Sequence, residues 1–148
     1  MIDTSVWRDF VYNHPNGNIF QTPEMFEIYS KTKNYEPVLV TIGDNNNILG
    51  LILGVIQKEK YLGNFTSRSI IIGGPLVKDN DSIILQDLLK KYNKKIKNKA
   101  IYSQFRNIFD TSAQKEVFLR NGYIYEEHLD IIHDLTKPEE EQWSKISR

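Results

Sequence analysis

Ile48-Leu49-Gly50-Leu51-Ile52-Leu53-Gly54-Val55-Ile56 is the longest unbroken run of apolar residues and glycines in the chain. Its nine residues fall far short of the roughly 20 needed to cross a bilayer. A short run that is apolar on both of its alternating faces fits a strand buried centrally in a sheet. It is preceded by Gly43-Asp44-Asn45-Asn46-Asn47, residue types that tolerate a positive φ, and before them by Val38, Val40 and Ile42 alternating with Leu39 and Thr41. That order predicts a β-hairpin. Gln57-Lys58-Glu59-Lys60 marks the exit of the returning strand to solvent. A third strand is expected from about Arg68 to Ile72, ending in a bulge or sharp bend at Gly73-Gly74-Pro75.

Asp79-Asn80-Asp81-Ser82 then caps the clearest helix. Ile84, Leu85, Leu88, Leu89, Tyr92 and Ile96 fall on one stripe at intervals of three and four, with Lys90, Lys91, Lys94, Lys95 and Lys97 elsewhere. Ala100 to Phe105 reads as a further strand, and Lys115 to Leu119 as a short helix closed by Asn121-Gly122. Upstream, Val6, Trp7, Phe10 and Val11 predict one amphipathic helix that stops at His14-Pro15-Asn16-Gly17-Asn18. Thr22 as N-cap, Pro23 at the first helical position and Glu24 in the first turn predict a second. From Tyr123 the alternation of Tyr123, Tyr125, Leu129, Ile131, His133 and Leu135 predicts a strand, and Lys137-Pro138-Glu139-Glu140-Glu141 opens a last helix at its acidic end. A hairpin followed by a helical crossover makes the fold class α/β (α+β): one mixed central sheet with helices on both faces.

Composition narrows the chemistry. The 148 residues suffice for one core, and 19 basic against 19 acidic side chains leave no global field for nucleic acid. Zero cysteines exclude disulfides, thiolate catalysis and thiolate metal sites. Met1-Ile2-Asp3-Thr4 has neither the basic nor the apolar region of a signal peptide, so the expectation is a cytoplasmic protein that is not integral to a membrane. Asn64-Phe65-Thr66 spells a glycosylation sequon that means nothing without export. No metal site is expected: His128 and His133 fall on opposite faces of a strand, or about 140° apart on a helix. No nucleophile elbow, P-loop or dinucleotide fingerprint is present. The lysine-rich helix reads as a solvated face, since no aromatic residues interleave with its charges. The corner from Gln21 to Pro37 is more informative. It sets Lys31 and Lys33 beside Tyr29 and Tyr35, where a lysine can hold a diphosphate as a point charge. Arg68, near the glycine bend, is a second candidate of the same kind.

Three stretches together resemble a known family. They are Asn18-Ile19-Phe20-Gln21-Thr22-Pro23-Glu24-Met25-Phe26 with Lys31-Thr32-Lys33-Asn34-Tyr35-Glu36-Pro37-Val38; Ile70-Ile71-Ile72-Gly73-Gly74-Pro75-Leu76-Val77 with the capped helix; and Phe118 to Tyr123 with Asp134 to Trp143. Their order is similar to the N-terminal half of FemAB-type peptidyltransferases, bacterial enzymes that attach amino acids from aminoacyl-tRNA to the stem peptide of cell-wall precursors. Each resembles two tandem GNAT (Gcn5-related acetyltransferase) folds, and a wider branch acetylates surface polysaccharides. The resemblance implies one GNAT-like domain over 1–135, and over 136–148 the start of a helix leading to a second domain absent from this chain. It implies an acyl or aminoacyl transferase acting on a cell-wall or surface-polysaccharide precursor, inactive as an isolated half.

Lys31 or Lys33 matches the family lysine that contacts the precursor's diphosphate. Gln104 and Arg106 fall on the strand that GNAT folds splay from its neighbour to admit the acyl donor. The pyrophosphate loop, Arg/Gln-x-x-Gly-x-Gly/Ala, should lie near Gly73 to Asp81, and Gly-Gly-Pro-Leu-Val-Lys-Asp-Asn-Asp departs from it. No cofactor is therefore expected in this domain, while aminoacyl-tRNA or acetyl-CoA is implied as donor for the intact protein. The candidate substrate-binding residues are Lys31, Lys33, Tyr35, Arg68, Gln104 and Arg106; no residue presents itself as the catalytic base. The rivals are a stand-alone acetyl-CoA-dependent N-acetyltransferase and a non-catalytic module that binds an anionic ligand.

Overall fold

The computed structural model describes residues 3–44, 46–59, 63–128 and 136–144, with backbone only at 59 and 63–66. Helix α1 (Thr4–Asn13) starts at Asp3, whose carboxylate accepts from the Ser5 amide. Helix α2 (Pro23–Lys31) starts as its sequence predicts, with the Thr22 hydroxyl accepting from the Met25 amide and Pro23 in the first turn. The hairpin β1 (Tyr35–Gly43) and β2 (Ile48–Glu59) follows, then β3 (Gly63–Ile72), a two-residue strand β4 (Leu76–Val77), helix α3 (Ser82–Ile96), β5 (Tyr102–Arg106), helix α4 (Lys115–Arg120) and helix α5 (Glu139–Ser144).

The sheet runs β1-β2-β3-β5, with β4 also pairing with β2. β1, β2 and β3 are antiparallel neighbours, whereas β5 lies parallel to β3 after the α3 crossover. Alternation along β2 divides the core in two. Ile52 and Ile56 face Leu85, Leu88, Leu89 and Tyr92 of α3, and Leu51, Leu53 and Val55 face Trp7, Val11 and Tyr29 of α1 and α2. The expected mixed sheet with helices on both faces is what forms. Gly50 and Gly54 point toward α3, where a Cβ would meet Ile84 and Tyr92 respectively. The space at Gly54 admits the Tyr92 ring, whose hydroxyl bonds Ser69 Oγ on β3 at 2.6 Å with both groups buried.

The glycine bend hands β2 from one partner to another. β3 pairs with β2 up to Gly54↔Ile71, and β4 resumes at Leu51↔Leu76. Between them the β2 edge at Leu53 has no strand beside it, and the fully buried Gln21 fills the gap. Its Nε2 donates to Leu53 O (3.0 Å) and Ile72 O (2.7 Å), and its Oε1 accepts from Leu53 N (2.8 Å). Gly74 leaves room for this amide, and Gly73, at φ +60°, leaves room for Asn18, which donates to Gly73 O at 2.6 Å. Both glycines are thus required by what lies against them.

One strand expectation is corrected. Tyr123–His128 forms no strand: Tyr123 turns inward against Phe105 (5.1 Å between centroids) and Phe118 (6.0 Å), and its hydroxyl bonds Asn93. The remainder of that segment, 129–135, lies outside the described residues, as does His133.

Replacing Gln21 by leucine keeps the volume but leaves Leu53 N–H, Leu53 C=O and Ile72 C=O without that partner. Each buried group left unpaired costs about 1–3 kcal/mol, so the substitution is expected to remove roughly 3 kcal/mol or more. In a chain of this size that lowers the melting temperature by about 6–12 °C. A change within about 0.5 kcal/mol in urea unfolding would show that water or backbone movement replaces the amide.

Candidate functional site

Alternation and register set four of the six candidate residues on one face of the sheet. Tyr35 pairs with Gln57, Gln57 with Arg68, and Arg68 with Tyr102, so one transverse row crosses β1, β2, β3 and β5. Side chains two residues apart share a face. Gln57 therefore follows Leu53 and Val55, and Arg68 precedes Ile70, all on the side of α1 and α2; Gln104 and Arg106 follow Tyr102 on that same side. Helix α2 packs on β1 and α1 on β2, which leaves Arg68, Tyr102, Gln104 and Arg106 exposed on the β3–β5 half.

The row is hydrogen-bonded. Gln57 Nε2 donates to Tyr35 Oη (3.2 Å), and Arg68 Nε donates to Gln57 Oε1 (3.1 Å). Arg106 donates through Nε and Nη2 to Gln104 Oε1 at 3.2 and 3.1 Å. Lys31 and Lys33 lie at the end of α2, where Asn34 (φ +66°) turns the chain into β1 and the Tyr29 and Tyr35 rings meet at 6.1 Å. Lys31 Nζ is held by Glu27 at 2.6 Å in an exposed pair, which contributes little and breaks readily. Lys33 has no acidic partner among the described residues. On the other face Glu36 receives both Lys58 (2.6 Å) and Lys99 (2.7 Å), whose hydrogen bonds hold its carboxyl below the usual range. Gln57 and Tyr102 were not among the expected site residues. Gln57 reads in sequence as part of an exit to solvent, and only the strand register places it between Tyr35 and Arg68.

Two expectations change. Arg68 is five residues from Gly73 along β3, about 17 Å, so it belongs to the α2 corner rather than to the glycine bend. No splay separates β3 from β5 in this region. Their ladder runs from Arg68↔Tyr102 to Ile72↔Arg106 and is closed at either end by Ile101 N to Ser67 O (2.8 Å) and Gly73 N to Arg106 O (2.9 Å). Gln104 and Arg106 lie on an open sheet face, not in a gap between strands. At the start of α3, Asp81 Oδ1 accepts from Ile83 N (2.7 Å) and Ile84 N (3.1 Å), so its own carboxylate occupies the amides that a phosphate would use.

Two concavities flank the sheet. A cleft of about 530 Å³ lies between the end of α1 and the loop before α3. His14 closes one side of it: Nδ1 accepts from the Asn16 amide (3.1 Å), so the proton sits on Nε2 and is donated to Val77 O (3.0 Å). A larger open groove, about 1580 Å³, follows β5 and residues 121–128. There Asn107 Nδ2 donates to Thr111 Oγ1 at 3.1 Å, while the buried Asn107 Oδ1 has no partner. Among the described residues no three histidines, aspartates or glutamates come together as metal ligands, and His128 is exposed, 3.9 Å from Glu126. No described helix is long and apolar enough to cross a membrane.

No family model and no curated protein matches the sequence. Solved structures do match the fold. A crystal structure of FemX superposes with TM-score 0.64 at 20% identity over 82% of this chain, which spans only 29% of FemX. Glucosamine-6-phosphate N-acetyltransferase from Arabidopsis thaliana gives 0.58 at 14% identity, covering 90% of this chain and 95% of that one. The aminoglycoside acetyltransferase AAC(6')-Iy, bound to a bisubstrate analogue of coenzyme A, gives 0.61 at 11% identity over 88% and 90%. The chain therefore shares its fold with these acetyltransferases and with the matched part of FemX.

Tyr123 lines the groove beside β5, and burial pushes its phenol up to about 12, partly opposed by hydrogen bonds with Ser103 and Asn93; burial raises Tyr92 as well. Unfolded phenols ionise near 10. Above that pH the unfolded chain releases protons the folded chain keeps, so stability is full below about pH 10 and falls toward pH 12. The melting temperature should drop over that interval, and Tyr123→Phe should flatten the drop. Absorbance titration in which all eight tyrosines ionise near pH 10 with the fold intact would contradict this burial.

Proposed function

Given a FemX-like GNAT-superfamily fold, we propose that this chain is the N-terminal domain of a FemAB-like acyl or aminoacyl transferase acting on a bacterial cell-wall or surface-polysaccharide precursor. The observation that carries the reading is the FemX superposition, which takes in most of this chain and less than a third of FemX. The closed β3–β5 ladder and the Asp81-capped start of α3 support it, because they leave neither a gap nor free amides here for a coenzyme A donor. On this reading residues 1–135 are one GNAT-like half, α5 leads toward a second, and the donor is handled there.

In this domain the acceptor lies along the open half of the sheet. Lys33, with Lys31 once freed from Glu27, supplies positive charge to a diphosphate. Tyr35 and Arg68, coupled through Gln57, form the wall beside it, and Gln104 and Arg106 extend that wall along β5. The residues bind and orient; the proton that must leave the accepting amine, and the donor carbonyl's oxyanion, require groups outside this set.

A stand-alone acetyl-CoA-dependent N-acetyltransferase is the second reading. It is favoured by acetyltransferases that match this chain over 90–95% of their own length.

Thermal denaturation separates the two. Acetyl-CoA at millimolar concentration is expected to leave the melting temperature unchanged, whereas a site filled to 100 times its Kd would add about 2.7 kcal/mol. A UDP-linked muramyl peptide is expected to bind, about tenfold more weakly after Lys33→Glu or Arg68→Ala. A clear shift with acetyl-CoA and none with the precursor would favour the stand-alone enzyme.

A further inference from the structure

Formal net charge is zero, but at one end of the strand axis described basic side chains outnumber acidic ones, while the other end mixes Lys78, Arg106 and Lys115 with aspartates. The row Tyr35-Gln57-Arg68-Tyr102 marks one end of the sheet. Lys31 and Lys33 precede it, and Lys58 N bonds Asn34 O at 2.9 Å beside them. Lys99 reaches the same end through Glu36, and Lys97 sits at the close of α3. Glu27 and Glu36 are the described acidic side chains paired there, against Lys31, Lys33, Lys58, Arg68, Lys97 and Lys99. Asp44 in the hairpin turn, Asp79 and Asp81 before α3, and Asp110 lie at the opposite end; the last is placed by Gln114 donating to Asn80 Oδ1 at 3.3 Å.

Two further features define the basic end. Lys90, Lys91, Lys94 and Lys97 on the outer side of α3 have no acidic partner among the described residues. Seven residues of helix span about 10.5 Å, so the whole stripe lies within roughly one Debye length of its tip. Ile101 in the turn after α3 and Tyr102 at the start of β5 are 63% and 49% exposed, and Tyr35 is exposed across the sheet. Unpaired lysines around a small apolar and aromatic tip suit a lipid headgroup layer, where ammonium groups meet phosphates and the tip enters the interface. A single-stranded nucleic acid fits less well: Tyr35 and Tyr102 stand three strand spacings apart, about 14 Å, too far to stack successive bases.

We propose that this basic end, with Lys90, Lys91, Lys94 and Lys97 of α3 around the Ile101–Tyr102 tip, docks the protein peripherally on an anionic lipid surface. The basic end also holds Lys31, Lys33 and Arg68 of the proposed acceptor wall, so the variants below leave those three intact and lipid binding alone is read.

The test is co-sedimentation of the chain with phosphatidylcholine vesicles, with and without about 30% phosphatidylglycerol, at low and physiological salt, anionic lipid being the attractive surface for lysines. Binding is expected only with phosphatidylglycerol, weakening as salt rises. Lys94→Glu with Lys97→Glu should weaken it about tenfold or more, and Ile101→Ser with Tyr102→Ser should remove the fraction that survives salt. Lys78→Glu, at the opposite end, should bind as the parent does. All variants change exposed residues, and their melting temperatures check that they fold. Equal sedimentation with neutral vesicles, no binding to anionic vesicles at low salt, or preferential binding of polyuridylate would each overturn the proposal; salt dependence of the parent chain tests it without any variant.

Discussion

A single buried amide holds the halves of this fold together. Where β2 loses β3 and has not yet met β4, its edge at Leu53 facing away from β1 would have no strand partner in the middle of the core. Gln21 supplies both a donor and an acceptor there and also takes the Ile72 carbonyl. Unpaired backbone groups buried this deeply are costly. The same residue's carbonyl accepts from Trp7 Nε1 at 2.8 Å, which fastens α1 to the site. The bend at Gly73-Gly74, the seat of the turn before α2 and the packing of the first helix therefore depend on one side chain.

That arrangement shapes the open face of the sheet. With β2 anchored to both β3 and β4, β3 continues flat against β5, and the face beyond α1 and α2 stays open from Arg68 to Arg106. The fold is shared with solved acetyltransferases, and here Asp81 caps its own helix while β3 and β5 stay paired. On the proposed reading, the polar row on the open face and the lysines at the α2 corner bind and orient the acceptor. The match with FemX spans 29% of that chain.

Most elements were legible because local chemistry and burial agreed. The start of α2 was visible in Thr22-Pro23-Glu24, the hairpin in Gly43 to Asn47, and α3 in its apolar stripe and Asp81. The segment from Tyr123 misled because its alternation is equally satisfied by single anchors: Tyr123 against Phe105 and Phe118, and Tyr125 Oη at 3.3 Å from Thr111 Oγ1. The candidate residues were found singly, as basic or aromatic side chains at corners and strand starts. Their relation was not visible, since Gln57 joins Tyr35 to Arg68 only through pairings 11 and 22 residues apart in sequence.

The sequence by itself determined the order of elements from α1 to α4 apart from the short β4, the two-sided burial of β2 and the absence of thiol chemistry, because propensity, capping and hydrophobic period act over a few neighbouring residues. Tertiary structure alone decided the role of Gln21, the closed ladder between β3 and β5, the row across four strands and the gathering of basic side chains at one end. Each is a matter of register, and register arises when distant segments meet and a shift by one residue would turn every side chain to the other face.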